Sequence, residues 1–544
     1  MKAQRVKAQR GARALALGTG LLLALVGATA SATPPTGVPP EKNARDQGPP
    51  APSFDPEVSR DRKGVDNFRR SDPREAALSP VAESSGLSAE TAAQERGEVL
   101  TLAEVIAALD LHDPRLEAAD RKREAAEGKL LSARGGFDSK LKMRGLVQPL
   151  GYYTHGVADL RIEQPTPLWG LGVWAGWRVG LGDFAVYDGK LLTAAGGELR
   201  AGVSVPLLRD GPIDRTRADI RQARIEVART GSLRDAKRLE LEAKAAEAYW
   251  SWVVAGLVLD IERQLLAIAL ERDAGLRRQI DLGNREGIIG VDNRRLVLDR
   301  EGRIVGAERQ FQAAALALSL YLRDERGAPL LAGADRLPQR FPAPEAPALI
   351  DLEAELAAAL ERRPDLAATL DTREQAEIEL RWAKNQRNPR IDLSSWVAKD
   401  LGPGPEDKLP VEVAAVVELE LPIPLRKARG QYQRARAELA QVDAELRFAR
   451  DRVAVDVLDA HSALAAAYQR ARLADEQLEL AHDLADAELR RFELGDGDLL
   501  LVNLRELAVA QAASDEVEAL GRYFTARAAL EVATGLGVQP VSIE

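Results

Sequence analysis

The sequence lacks cysteine entirely and has only two methionines and four histidines in 544 residues. Without cysteine the chain can form neither a disulfide framework nor a thiolate metal site, and it cannot carry a lipid on an N-terminal cysteine. The histidines are scattered, with no pair four residues apart and no acidic partners in a ligand pattern, so we expect surface or loop roles for them rather than a metal site. No cofactor and no metal are predicted.

Catalytic and nucleotide-binding motifs are missing too. There is no glycine-rich loop with its lysine to cradle a phosphate, and there is no nucleophile elbow. Gly170-Leu171-Gly172 has neither the spacing nor the helix of a dinucleotide fingerprint. The formal net charge is −9, with basic and acidic residues mixed along the chain, which argues against nucleic acid as a partner. The sequence therefore predicts a protein that is not an enzyme and does not bind nucleic acid.

Long apolar runs are scarce. Residues 1–32 combine five basic residues with an apolar stretch over 15–26 and a small-residue cleavage site near Ala30, which is typical of a secretory signal peptide. The alternative is an uncleaved anchor, although the stretch is shorter than the roughly twenty residues of a spanning helix. No later run has spanning length, so we expect an exported protein without a transmembrane helix. Residues 33–97 are rich in proline, serine and charge, and we expect a disordered arm.

What the sequence does contain is an internal repeat. Segment 222–227 resembles segment 434–439, and the same offset of 212 residues places Leu282-Gly283 on Leu494-Gly495. Upstream, the Asp-Pro-Arg-Leu segment 113–116 matches the Arg-Pro-Asp-Leu segment 363–366. We therefore predict a tandem repeat. Its parts are a first copy at 98–337, a linker at 338–348, a second copy at 349–537 and a C-terminal tail at 538–544.

Each copy reads as a helix, strands and a long helical hairpin. Period-two alternation over 137–206 and 390–424 predicts strands. One helical pattern begins at Pro212 and has no further proline up to Leu282, and a second runs over about 425–494. They predict rods of roughly 100 Å at 1.5 Å per residue, each followed by a return helix. The hairpin tips are predicted at Leu282 and Gly283 in the first copy, and at Leu494 and Gly495 in the second.

The predicted strands have an apolar face, which has to be kept away from water. In a bilayer the solution without spanning helices is a closed β-barrel, whose strands alternate lipid-facing apolar and lumen-facing polar residues. Aromatic residues of the strand regions are candidates for its interfacial girdle: Trp169, Trp174, Trp177 and Trp396, with Tyr152 and Tyr153. A soluble sandwich with one wet face explains the strand pattern alone, and a dimerising coiled coil explains the rods alone. Neither requires strands at the root of both hairpins.

Taken in order, these motifs resemble the outer membrane efflux protein family, the TolC-like channels. The resemblance covers about residues 100–537 and rests on segments 113–116 and 363–366, on the strand-to-helix passages 205–208 and 421–425, and on the hairpin tips. It implies an α+β membrane protein and a homotrimer. About four strands per protomer would form one shared β-barrel in the outer membrane of a Gram-negative bacterium, and the helices would continue it as a coiled-coil barrel through the periplasm.

The resemblance also implies a function. The trimer would be a passive exit duct of a tripartite efflux or type I secretion system, driven by an inner-membrane pump. Its hairpin tips would dock on a periplasmic adaptor protein, and its barrel would contact outer-membrane lipid. The alternative is an exported periplasmic adaptor or coiled-coil scaffold. An adaptor usually has one helical hairpin, whereas this sequence predicts two.

The sequence departs from the family in two places. Where family members carry acidic side chains at the tunnel entrance, the aligned residues are Leu501 and Leu504. Nearby acids could instead form cation-attracting rings in a trimer, or could be solvated turn and capping residues. The candidates are Asp496, Asp498, Glu506, Asp281 and Asp292, with Glu286 beside them. Secondly, region 137–206 is about twice as long as 390–424 and could hold an extra hairpin or a long loop. We expect two strands per repeat, and twelve in the trimer.

Overall fold

The computed structural model describes residues 98–185, 191–282, 286–347, 351–408, 410–539 and 541. The predicted signal peptide, the N-terminal arm and Gly283 lie outside the described residues. The helices are α1 (Leu102–His112), α2 (Pro114–Arg134), α3 (Arg215–Asp281), α4 (Gly287–Leu318), α5 (Leu352–Arg362), α6 (Pro364–Asn385), α7 (Arg426–Glu493) and α8 (Leu499–Ala533). The strands are β1 (Lys140–Gln148), β2 (His155–Pro165), β3 (Gly172–Gly182), β4 (Glu198–Pro206), β5 (Arg390–Asp400) and β6 (Glu412–Glu420).

The same order of elements occurs twice, with local causes that the sequence supplies. Thr101 caps α1, its Oγ1 accepting the Glu104 N–H at 3.2 Å. Pro114 and Pro364 stand at the first turn of α2 and of α6, where a missing N–H costs nothing, while the residue before each proline leaves the helical region. In both halves a short helix therefore stops and a second one begins at once.

The long rods are confirmed. Helix α3 has 67 residues and α7 has 68, so each is about 100 Å long at 1.5 Å per residue. A return helix follows each rod: α4 follows α3, and α8 follows α7. None of the helices in the described part of the chain is both long and apolar enough to cross a membrane.

The core lies where the rods meet the short helices. Trp250 of α3 stacks on Phe524 of α8, with ring centroids 4.6 Å apart, and on Phe341, at 5.5 Å. The Tyr249 hydroxyl donates to the carbonyl oxygen of Leu100 at 2.8 Å, so this buried polar group is satisfied. This aromatic cluster joins both hairpins to the segment that leads into α1.

The strands form one antiparallel sheet in sequence order, β1 to β6. The expectation of about four strands per protomer is wrong for this sheet, because region 137–206 folds as two hairpins. The second reversal, between β2 and β3, uses Trp169 and Gly170 with φ of 51° and 70°. Strand β4 of the first half pairs with β5 of the second, so the sheet joins the two halves.

Candidate functional site

The sheet has two chemically different faces. Successive side chains of a strand point to opposite faces of the sheet, and the pairing register decides which residues of neighbouring strands share a face. One face, here called the apolar face, carries at least one large apolar residue from every strand, including Met143, Leu160, Trp177, Val203, Val397 and Val417. Its side chains are exposed in the single chain: Met143 by 81% and Val413 by 71%. An apolar surface of this extent marks a binding or membrane surface.

The opposite face, here called the polar face, is charged. One row across the sheet runs Arg144, Asp159, Arg178, Glu198, Asp400. The Arg178 guanidinium lies 2.6 Å from the Glu198 carboxylate, and Arg200 bridges Glu198 and Asp159. Opposite charges directly across neighbouring strands stabilise the pairing. The polar face is thus a connected ionic surface.

The tryptophans do not share one environment. Trp174 and Trp396 lie on the polar face, on either side of Gly202, and the Arg161 guanidinium sits 3.9 Å above the Trp174 ring. Trp177 lies on the apolar face, and its Nε1 donates to the Gly196 carbonyl at 2.9 Å. A girdle that faces lipid requires the apolar face, which Trp174 and Trp396 do not occupy. Trp169 lies in the turn before β3, and Tyr152 and Tyr153 lie in the turn after β1.

The two long helices end beside residues predicted for the hairpin tips: α3 ends at Asp281, before Leu282, and α7 ends at Glu493, before Leu494. Gly495 ends α7 with φ of 86°, a conformation that favours glycine, and α8 begins at Leu499. Leu282 at the end of α3 is 74% exposed and Leu494 is 82% exposed. Leu500, Leu501 and Leu504 on the first turns of α8 are exposed too. The tips therefore present leucine to their surroundings.

The predicted acidic residues other than Glu506 occupy three different settings. Asp498 caps α8, since its carboxylate accepts the Leu500 N–H at 3.1 Å. Asp292 lies 3.3 Å from the Arg295 guanidinium, and it lines with Asp498 a cleft of 360 Å³ between the two tips. Asp281, Glu286 and Asp496 are exposed and do not line this cleft.

Glu506 is in a different position, within a cluster that the sequence did not indicate. Its Oε2 accepts from Arg272 Nη1 of α3 at 2.8 Å, and Arg300 Nη2 of α4 lies 3.6 Å away. Arg300 is 1% exposed, and its Nη1 donates to the Leu265 carbonyl at 2.8 Å. Burial lowers the pKa of Arg300, while the charge of Glu506 acts against that shift. Glu506 thus ties three helices together instead of facing open solvent.

Across the described residues, no group of three or more His, Cys, Asp or Glu side chains is arranged to hold a metal ion. The acids at the tips are paired, capping or separately exposed.

The second half of the chain matches a family model, and the chain has a known fold. Residues 356–536 match the family model "outer membrane efflux protein". No curated protein matches the chain in sequence.

Solved structures of outer-membrane proteins have the same fold. The VceC protein of Vibrio cholerae is 17% identical with a TM-score of 0.56, over 80% of this chain and 97% of that one. The MtrE channel of Neisseria gonorrhoeae in its open state is 18% identical with a TM-score of 0.57, over 81% and 90%. The CmeC channel of Campylobacter jejuni is 13% identical with a TM-score of 0.56, over 85% and 94%. Residues 356–536 thus match the outer membrane efflux protein family, and the chain has the fold of these outer-membrane proteins.

Proposed function

We propose that this protein is the outer-membrane channel of a tripartite efflux or type I secretion system in a Gram-negative bacterium. One observation carries the proposal: a sheet with one apolar and one charged face leads directly into helices about 100 Å long. The strands have 9 to 11 residues, the length of a tilted membrane-spanning strand.

The two faces suit a barrel wall. Outer-membrane barrels place apolar side chains towards lipid and polar side chains towards the lumen. The apolar face would then contact outer-membrane lipid, and the ionic row through Arg178 and Glu198 would line the aqueous duct. Backbone groups in hydrocarbon must be paired, which the antiparallel ladders provide.

The helices suit the periplasmic part. A homotrimer would arrange six long rods around a tunnel, with the tips furthest from the sheet. The exposed leucines at 282, 494, 500, 501 and 504 would give a periplasmic adaptor an apolar docking surface, with the inner-membrane pump behind it. Asp496 and Asp498 are proposed as rings at the aperture, since three copies of an inward-facing carboxylate attract cations. Transport would be passive, and the pump would supply the energy.

Membrane fractionation and electron microscopy test the proposal. The expressed protein should stay in the membrane fraction after a carbonate wash. In detergent it should form a three-fold tube well over 100 Å long with one detergent-covered end. A particle that washes out and shows no tunnel would support the scaffold alternative instead.

Neighbouring alanines on β6 offer a matched test of the apolar face. Ala415 lies on the apolar face and Ala414 on the polar face. Arginine on a lipid-facing position near the bilayer midplane costs about 2–4 kcal/mol. Ala415→Arg should therefore lower the amount of protein in washed membranes, whereas Ala414→Arg should leave it near the wild-type amount. Equal amounts for both variants would contradict the assignment of the faces.

A further inference from the structure

We propose that β6 of one protomer pairs with β1 of the next, so that three copies with six strands each close a barrel of eighteen strands. The inference rests on the proposed channel function and adds to it the strand count and the seam between protomers. It replaces the twelve strands expected from the sequence.

The edges of the sheet are where such a seam must form. Strand β1 has a partner only on its β2 side and β6 only on its β5 side in the described sheet, and every residue of β1 is exposed. Exposed edges invite pairing, and closure into a barrel removes them. Neighbouring strands in this sheet alternate in direction, so β6 runs opposite to β1. A seam between β6 of one copy and β1 of the next is therefore antiparallel, like the other strand pairs.

Charge on the polar face is complementary at the two edges. Strand β1 carries Lys140, Lys142 and Arg144 there, whereas β6 carries Glu412, Glu418 and Glu420. Identical copies therefore bring a basic edge against an acidic edge at each of three seams. On the other side of the same strands, Leu141 and Met143 would continue the apolar face beside Val417 and Leu419.

The helices indicate the register of the seam. Helix α2 ends at Arg134, six residues before β1 begins, and α7 begins at Arg426, six residues after β6 ends. Aligning these helix-side ends places Lys140 of one copy beside Glu420 of the other, and Lys142 beside Glu418.

The register inside the sheet fits this seam. Following the paired residues across the sheet from Lys140 leads to Ala414 on β6, six residues before Glu420. Across the six strands of one copy, the register thus shifts by six residues along the strands. Three copies give a total shear of about eighteen for eighteen strands. A barrel with shear equal to its strand number has strands tilted by about 36°, within the ordinary range.

The extra hairpin belongs to the wall. On the apolar face, Leu141 of β1 lies opposite Ile162 of β2, and Met143 lies opposite Leu160, so β1 and β2 extend the apolar face seen on the other four strands. Barrel diameter grows roughly in proportion to strand number, so eighteen strands give a lumen about 1.5 times as wide as twelve. The outer-membrane end would pass bulkier cargo than a twelve-stranded barrel.

Cysteine cross-linking tests the seam, since the chain has no cysteine of its own. The paired substitution Lys142→Cys with Glu418→Cys places thiols on opposite edges, five strand spacings or about 24 Å apart within a flat sheet. That distance exceeds the span of a disulfide, so a bond must join two copies. Lys140→Cys and Arg144→Cys, each with Glu418→Cys, cover neighbouring registers. Lys142→Cys with Ser204→Cys is the control, because Ser204 lies on an interior strand.

The proposal expects covalent dimers and trimers on oxidation for at least one edge pair and none for the control. A trimeric particle without any edge cross-link, or a density map with twelve barrel strands and β1–β2 set apart, would overturn the seam and leave the channel standing. A particle without a membrane tube would instead overturn the proposed function.

Charge reversal separates the seam from contacts within one copy. Lys142 pairs with Glu163, and Glu420 lies near Arg390, so each reversal also disturbs its own sheet. Lys140→Glu with Lys142→Glu should reduce the trimer fraction several-fold, and so should Glu418→Lys with Glu420→Lys. The combination of all four should restore it, which intrachain effects alone would not do. Trimer loss in the combined variant equal to the sum of both reversals would overturn the pairing.

Discussion

Arg272 on α3 and Glu506 on α8 join the two helical hairpins through a 2.8 Å hydrogen bond between Nη1 and Oε2. The same carboxylate faces Arg300 of α4, whose side chain is buried. One acid therefore compensates two guanidinium groups between hairpins from different halves of the chain. This cluster lies close to the tips, where an opening tunnel would have to separate its walls.

Removal of the Glu506 charge should loosen the tips. Glu506→Gln leaves Arg300 buried without its anion, and breaking a buried ion pair from one side costs about 3 kcal/mol. We expect a lower midpoint of heat unfolding in detergent and a higher single-channel conductance. Glu518→Gln is the control, since its pair with Arg522 is exposed and contributes little. Equal midpoints for the two variants would show that the cluster has no stabilising role.

Asp498 combines a helix cap with a candidate ring position, and two substitutions separate these roles. Asp498→Asn keeps a good capping side chain without the charge, whereas Asp498→Ala removes both. We expect Asp498→Ala to lose about 1 kcal/mol of stability and Asp498→Asn to lose little. The ring hypothesis expects both to lower cation selectivity in planar bilayers. Unchanged selectivity in both variants would leave Asp498 as a capping residue only.

Asp113 predicts a pH dependence. Burial alone would raise the pKa of Asp113, but hydrogen bonds and charge from Arg115 bring that pKa below its ordinary value. A carboxyl group of this kind stabilises the fold above its unfolded pKa of about 3.9, and that contribution is lost as the pH falls through the folded pKa. At pH 7, Asp113→Asn should therefore lower the free energy of unfolding by about 1.5 kcal/mol. The variant should then unfold at a lower temperature than wild type. The difference should shrink below about pH 4.

The second half offers the control for this prediction. There the charge order is reversed, with Arg363 before the proline and Asp365 after it, 2.7 Å apart. The Asp365 side chain is 45% exposed, whereas that of Asp113 is 0% exposed. Solvent screens an exposed pair, so Asp365→Asn should cost less. A larger effect at Asp365 than at Asp113 would show that burial is not what makes the Asp113 pair strong.

The helical part of the fold could be predicted because its signals are local. Pro114 and Pro364 fix where the short helices break, and the lack of proline over 215–281 allows one rod. The number of strands, by contrast, could not be predicted from local signals. Period-two alternation shows that strands exist but not where the chain reverses, and the reversal between β2 and β3 uses Trp169 in a left-handed conformation, which is not a usual turn residue.

The sequence could not predict the cluster of Arg272, Arg300 and Glu506, for another reason. Arg272 and Glu506 are 234 residues apart, and arginine and glutamate occur along all the long helices. Only the packing of α3 against α8 selects this pair from many equivalent ones. Asp496 and Asp498 are predicted as aperture residues from their place near a turn, a signal that helix-capping residues share.

Gly202 gives the last prediction, on the polar face of the sheet. A Cβ at Gly202 would lie 2.7 Å from Trp174 Cε2 and 2.7 Å from the Ser395 carbonyl oxygen, too close for either group. Gly202→Ala should therefore strain β4 against β3 and β5, at about 2 kcal/mol for overpacking. The heat-unfolding midpoint of the detergent-solubilised protein measures this loss.

Gly172 is the matched control for that substitution. It lies on the same face, at the start of β3, and a Cβ there meets nothing within 4 Å. Gly172→Ala should leave the midpoint near that of wild type. Trp174→Ala in the Gly202→Ala background should recover part of the loss, because removal of the indole relieves one of the two contacts while the Ser395 oxygen remains. Additive losses in that double variant would show that the indole does not limit the space at Gly202.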